Sequence, residues 1–213
     1  MSQKIAVLDY GLGNLRSVSK AVERVAPNAE VRVTDDYDWI QAADRVVFPG
    51  QGAARDCMAA IGEHHLNQAV REAVQSKPFL GICMGLQVLL DFSEENGGTE
   101  LLGVLPGRVV RFADDMPGDN GLNLKIPHMG WSRVEQVRPH PLWEGIENGS
   151  RFYFVHSYHV VPEQEEVVAG ITEYGVRFVS AVASGNLFAV QFHPEKSADA
   201  GLRLLQNFVH WSP

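Results

Sequence analysis

The stretch "PFLGICMGLQVLL", residues 78–90, decides how the rest of the chain is read. One apolar run ends at Cys83 and a second begins at Met84, with Gly81 and Gly85 two places to either side. The first run has the continuity of a buried strand, and the second reads as a helix from Met84 to about Phe92. A strand that becomes a helix within one residue strains the corner backbone, and flanking glycines remove the Cβ atoms that would collide there. This is the form of a nucleophile elbow, G-x-nucleophile-x-G, with sulfur as the nucleophile. A helix N-terminus aimed at the thiol favours thiolate, and the amide of Met84 faces the place where an oxyanion would form. Taken alone, the pattern also suits a packed structural cysteine. The strand before it and the helix after it favour the nucleophile.

Working outward, the first half alternates between two periods. Residues 4–9 form a short apolar run, and the segment from Asn14 to about Val25 reads as a helix. "EVRVT" (30–34) and "DRVVFPG" (44–50) read as strands, and residues 53–76 as a long helical stretch broken near Gly62. Strand–helix alternation with continuous apolar strands predicts a doubly wound α/β fold, a mostly parallel sheet covered on both faces. The second half differs. "RVVRF" (108–112), "WSRVEQV" (131–137), "RFYFVHSYHV" (151–160), "VRFVSAVAS" (176–184) and "LFAVQF" (187–192) predict an added antiparallel strand region, and 199–211 a closing helix. The polar, turn-rich "DDMPGDNG" (114–121) predicts an exposed loop. No linker or repeat divides the chain, so residues 1–213 are read as a single domain.

A net charge of -8 lacks the footprint of a nucleic-acid or anionic-membrane binder. No apolar run approaches the roughly 20 residues of a membrane span, and no secretory signal precedes "KIAVLD". Two cysteines give no disulfide framework, which points to a cytoplasmic, reducing location.

A thiol nucleophile needs a base, and the base needs an orienting acid. Of eight histidines, His193 stands just past the last apolar strand with Glu195 two residues on. In extended backbone those two side chains face the same way, and Pro194 favours that geometry at His193. Cys57 lies within a helical stretch and is assigned to packing, and His64-His65 to a solvated helix. His156 and His159 are expected on opposite faces of one strand, and neither histidine pair has the character of a metal site. Gly11-x-Gly13 after the first strand hints at a dinucleotide fingerprint, but its third position holds Arg16. No cofactor and no metal are expected.

Four pieces, "FPGQGA" (48–53), "GICMGLQ" (81–87), "FVHSY" (154–158) and "FHPEKS" (192–197), resemble the class I, triad-type glutamine amidotransferases. "DYGLGNLRSV" (9–18) and "PHMGW" (127–131) narrow the likeness to the glutaminase subunits of imidazole glycerol phosphate synthase in histidine biosynthesis. The resemblance implies a flavodoxin-like sheet and hydrolysis of L-glutamine to glutamate and ammonia. It makes Cys83 the nucleophile, His193 the proton carrier and Glu195 its support. It gives oxyanion donors in the amides of Gln51 and Met84, the former in a peptide that Gly50 and Gly52 leave free to rotate. Gln87, Glu95 and the backbone of Ser157 and Tyr158 fall at substrate-holding positions. Asn14, His128, Met129, Trp131 and Lys196 fall at a partner surface. That partner is the cyclase (synthase) subunit, a (β/α)8 barrel that consumes the ammonia. Two other readings stay open at this point: a free-standing γ-glutamyl peptidase, and a catalytically silent regulatory subunit.

Overall fold

The computed structural model describes residues 2–118 and 123–213. Its frame is four parallel strands, β1 (Lys4–Leu8), β2 (Glu30–Thr34), β3 (Arg45–Gly50) and β4 (Phe79–Cys83), in the order β2-β1-β3-β4. The strand Leu187–Val190 returns from the far end of the chain and adds to β4, also in parallel. β3, β4 and 187–190 are buried at every residue, because both faces of this part of the sheet are covered. The helices are α1 (Leu15–Val25), α2 (Tyr37–Ala42), α3 (Ala54–Glu63), α4 (Leu66–Ser76), α5 (Met84–Gln87) and α6 (Ala198–His210). Val18 and Val22 of α1 and Leu204 and Phe208 of α6 pack on one face, with Ile5, Val7, Leu80 and Val190. Ile40, Ile61 and Val70 of α2, α3 and α4 pack on the other, with Ala6, Leu8, Phe48 and Ala189. The alternation of neighbours along β1 between the two sets is the period of a strand buried on both sides.

Beyond 187–190 the sheet turns antiparallel, through Val176–Ser184 to Tyr158–Pro162 and then Gly107–Arg111. A separate two-stranded ribbon pairs His128–Arg133 with Arg151–His156. The mostly parallel sheet with added antiparallel strands is therefore as the sequence predicts, and several details differ. The run 151–160 is two strands in two sheets, with the break at Ser157. His156 and His159 accordingly do not oppose each other across one strand; both rings lie against Phe112, at 5.3 and 4.7 Å. The long helical stretch breaks at His65, which is left-handed at φ 55°, and Gly62 stays helical. His64 closes α3 there, its Nδ1 2.8 Å from Asp35 Oδ2. The helix after Cys83 ends at Gln87 because the amides of Leu102, Gly103 and Val104 take the carbonyls of Val88, Leu90 and Leu89. Elements not expected include α2, the short pair Phe92–Ser93 and Thr99–Glu100 beside Gly107–Arg111, and the strand Val168–Tyr174, which pairs with 176–184. In the loop at 114–118 the aspartates are exposed while Met116 is buried; 119–121 lie outside the described residues. No helix among the described residues is long and apolar enough to cross a membrane.

Candidate active site

The carboxyl ends of β3, β4 and 187–190 converge at one edge of the sheet, where ligands of open α/β folds are held. Cys83, the last residue of β4, has φ 55° and ψ -108°, a conformation few residues with a side chain adopt. The flanking glycines explain how it is tolerated. A Cβ on Gly85 would run into the carbonyl of Phe48 in β3, and one on Gly81 would stand 2.7 Å from the Gly85 carbonyl oxygen. Gly50 also owes its identity to packing, since a Cβ there would strike the Tyr10 hydroxyl, which donates to the Pro49 carbonyl at 2.9 Å. Gly52, at φ 100°, has open space around it.

His193 follows the central strand and is 2% exposed; Glu195 is 1% exposed at its side chain. His193 Nδ1 lies 2.8 Å from Glu195 Oε1. The pair is not formed by an extended segment, as the i, i+2 spacing predicts: Pro194–Lys196 is a 3-10 turn, and the turn brings the carboxylate back to the ring. The turn is itself anchored, because Ser197 Oγ donates to the His193 carbonyl at 2.6 Å and accepts from the Tyr153 amide at 2.9 Å. His193 Nε2 and Glu195 Oε2 are buried with no hydrogen-bond partner among the described residues. Burial alone works against a charged imidazole, but the sulfur of Cys83 and the carboxylate of Glu195 outweigh it and raise the His193 pKa to about 10. The two anionic neighbours thus favour the imidazolium, the form that can give a proton to a leaving group.

A cavity of about 440 Å³ opens over the sulfur. It brings together Gln51, Gly52, Cys83, Met84, Gln87, Glu95, Ser157, Tyr158, His193 and Lys196, ten of the residues singled out in the sequence. Gly50 and Glu195 sit behind its wall. Glu95 is partly buried, and its Oε2 accepts from the Ala54 amide at the start of α3, at 2.6 Å. Cys57 is buried; its thiol donates to the Gln51 carbonyl at 3.3 Å, and burial pushes its pKa up to about 12, which suits a structural thiol. The Gly11–Gly13 loop lies over the Gly50–Gln51 peptide and has its turn set by the Asp9 carboxylate, which accepts from the Gly11 amide.

The positions expected at a partner surface divide. On the ribbon, Met129 and Trp131 are 62% and 48% exposed, with Trp131 edge-on to Tyr153 across the strand pair. Lys196 Nζ stands 6.0 Å over the Tyr153 ring, at the rim of the cavity. Asn14 is exposed, and its side chain caps α1 by accepting from the Ser17 amide. His128 is a correction: the pleat turns it inward, 1% exposed, where Nδ1 meets His156 Nε2 at 3.0 Å and Nε2 meets Ser132 Oγ at 2.8 Å. Burial lowers the His128 and His156 pKa values to about 4 and about 3, so both are neutral.

One residue that the sequence reading passed over touches the sulfur. Gln191 is fully buried, with Nε2 3.7 Å from Cys83 Sγ and Oε1 3.0 Å from Gln87 Nε2. A signal was present, since Gln191 is a lone amide in the apolar run "LFAVQF" immediately before His193.

Comparison with known proteins agrees with this geometry. Residues 6–211 match the family model for class-I glutamine amidotransferases. The chain is 62% identical over 214 residues to the imidazole glycerol phosphate synthase subunit HisH of Thiobacillus denitrificans, covering 100% of this chain and 93% of that one. It is 57% identical over 210 residues to the subunit of the same name from Aromatoleum aromaticum, covering 98% and 99%. Among solved structures, PurLQS from Thermotoga maritima superposes with a TM-score of 0.74 at 18% identity, covering 99% of each chain. A second, described as a glutamine amidotransferase, superposes with a TM-score of 0.67 at 21% identity and 97% coverage of each. At those identities the structural likeness speaks for the fold, and the family model and sequence relatives carry the assignment. The chain belongs to the class I glutamine amidotransferase family.

Proposed function

We propose that this chain is the glutaminase subunit of an imidazole glycerol phosphate synthase, hydrolysing glutamine and passing ammonia to a cyclase partner. The observation that carries the reading is a strained Cys83 sharing one cavity with the buried His193–Glu195 pair. Relatives bearing the synthase-subunit name match over nearly their whole length. In the proposed reaction the Cys83 thiolate attacks the side-chain carboxamide carbon of glutamine and forms a sulfur–carbon bond. The tetrahedral oxyanion is met by the amides of Met84 and Gln51. His193 gives its proton to the nitrogen, the carbon–nitrogen bond breaks, and ammonia leaves a γ-glutamyl thioester. Neutral His193 then takes a proton from water, the resulting hydroxide attacks the thioester, and glutamate departs with the thiolate and imidazolium restored. Glu195 steadies the charged ring throughout.

Substrate contacts follow from the cavity. Both N–H bonds of Gln87 are engaged, to the Tyr158 carbonyl and to Gln191 Oε1, each at 3.0 Å. Gln87 therefore offers the substrate only its oxygen, an acceptor suited to the α-ammonium group. Glu95 and the 157–158 backbone complete the reading of the amino-acid end. The exposed Met129 and Trp131, with Lys196 and Asn14, form the surface for the partner, a (β/α)8 barrel closing over the cavity. Ammonia released to bulk water would be protonated and diluted, so a covered exit is what the chemistry needs. The peptide at Gln51 completes its oxyanion contact when the partner docks. Residues 1–213 act as one domain, because strand 187–190 is laced between β4 and the antiparallel half. A cytoplasmic location fits two free cysteines.

The test is Cys83→Ala in the assembled complex. Glutamine-dependent product formation falls to background, and added ammonium salt still supports synthesis. Loss of the ammonium-dependent reaction as well refutes a pure ammonia supplier. Strong hydrolysis of γ-glutamyl peptides by the isolated chain favours the peptidase reading instead.

A further inference from the structure

Two arms of hydrogen bonds meet at the carbonyl of Tyr158, and that carbonyl fixes the direction of every bond in both. A carbonyl oxygen only accepts. Gln87 must therefore present Nε2 to it at 3.0 Å, and His156 must present a protonated Nδ1 at 2.8 Å. Along the first arm, the second N–H of Gln87 points to Gln191 at 3.0 Å, which forces Gln191 to receive it on Oε1. The amide of Gln191 then has no freedom to flip: Nε2 is the atom facing Cys83 Sγ at 3.7 Å. Along the second arm, a proton on Nδ1 of neutral His156 leaves its Nε2 as acceptor. His128 must then donate from Nδ1 at 3.0 Å and accept on Nε2 from the Ser132 hydroxyl at 2.8 Å. Gln191 is fully buried between Phe192 and the apolar Val190, where an amide is costly to keep unless its partners are fixed.

We propose that Gln191 is a further functional residue of the site, its amide N–H held against the Cys83 sulfur to stabilise the thiolate and keep it aimed into the cavity. This rests on the glutaminase reading. The sulfur is negative before attack, neutral in the thioester and negative again when glutamate leaves. A fixed donor therefore assists at both ends of the cycle without occupying the oxyanion contacts. Its Oε1 serves Gln87, so one side chain joins the reactive atom to a substrate-facing amide.

The two roles of the amide are separable. Gln191→Glu keeps an oxygen for Gln87 and nearly the same shape, and loses the N–H that faces sulfur. Gln191→Leu loses both. The experiment measures steady-state glutamine hydrolysis by the full chain in complex with its partner, from pH 6 to pH 9, for wild type and both variants. Expected is a fall in kcat of about tenfold or more in both, the effect of one charge-assisted hydrogen bond, with KM changed far less in Gln191→Glu. The Gln191→Glu loss shrinks toward low pH, where a protonated carboxyl can donate to sulfur again. Wild-type kcat in Gln191→Glu, or a loss with no pH dependence, overturns the proposal whether or not Gln191→Leu folds. A loss in Gln191→Leu alone overturns it too, reducing Gln191 to a support for Gln87. Wild-type protein that hydrolyses no glutamine and whose Cys83 resists a glutamine-mimicking electrophile refutes the glutaminase reading itself, a separate outcome.

Discussion

Substituting Gly85 by alanine tests whether the corner at Cys83 is held by contact between two strands and a helix. The added Cβ would meet the Phe48 carbonyl oxygen well inside contact distance and its carbon at 2.8 Å. Neither atom can step aside cheaply, because β3 is laddered to β1 on one side and β4 on the other. Overpacking of this kind costs about 1–3 kcal/mol. For a chain of this length about 2 kcal/mol lowers Tm by about 4–8 °C. The alternative to that cost is a shift of α5, which carries Met84 and Gln87 and aims the sulfur; a displacement near 1 Å costs about 10²-fold in rate. Gly62→Ala is the internal control. It sits in α3 with nothing within 4 Å of its Cβ position, so alanine there stabilises by about 0.5–1 kcal/mol. Thermal melts and glutamine turnover at a temperature where all variants are folded provide the readout. A Gly85→Ala protein with wild-type Tm and wild-type turnover, or a Gly62→Ala protein equally damaged, refutes the argument from close approach.

Other expectations follow from the same geometry. Glu195→Gln removes the charge that supports the imidazolium and lowers kcat on the order of 10³- to 10⁴-fold with little change in KM, measured by steady-state kinetics. His193 has a folded pKa raised from 6.5 to about 10, so its contribution to stability is complete below 6.5 and is lost as pH rises toward 10. Urea midpoints should fall across that window in the wild type and less in a Cys83→Ala, Glu195→Gln double variant. Trp131→Ala leaves the melting temperature of the isolated chain within a degree or two, since the ring is half exposed. The same change weakens association with the cyclase by about 2 kcal/mol or more in titration calorimetry, as the loss of a central aromatic anchor does.

The parallel half of the fold was legible because β1, β3, β4 and 187–190 are buried on both sides and read as continuous apolar runs, while the exposed edge strand β2 shows itself by the alternation of "EVRVT". The corner at Cys83 and the pairing of His193 with Glu195 were legible for a similar reason: each is a local pattern with a local cause. What could not be read was set by partners distant in sequence. "RFYFVHSYHV" reads as one unbroken run of strand-forming residues, and nothing in it says that His156 lies beside Phe154 in a ribbon while Tyr158 has joined another sheet. The helix after Cys83 stops where backbone amides from 102–104 take the carbonyls of Val88–Leu90 just beyond it, an event invisible in "GLQVLL". His128 went to the wrong side of its strand because "PHMGW" was read as one surface, whereas the pleat sends alternate residues in opposite directions. Gln191 was absorbed into a strand, although a buried amide in such a run has to be answered by another polar group.

Cys83 and His193 issue from adjacent strands, β4 and 187–190, whose registers lock Ile82 beside Val190. The separation of the two reacting groups is thus inherited from a ladder rung in the middle of the molecule, a length that varies little in any sheet. The parts that would recognise a substrate or a partner hang from the rim instead: the turn bearing Glu95, the crossover at Ser157 and the two-stranded ribbon. Such an arrangement lets specificity and docking be rewritten by changes at the periphery while the bond-breaking apparatus stays as it was.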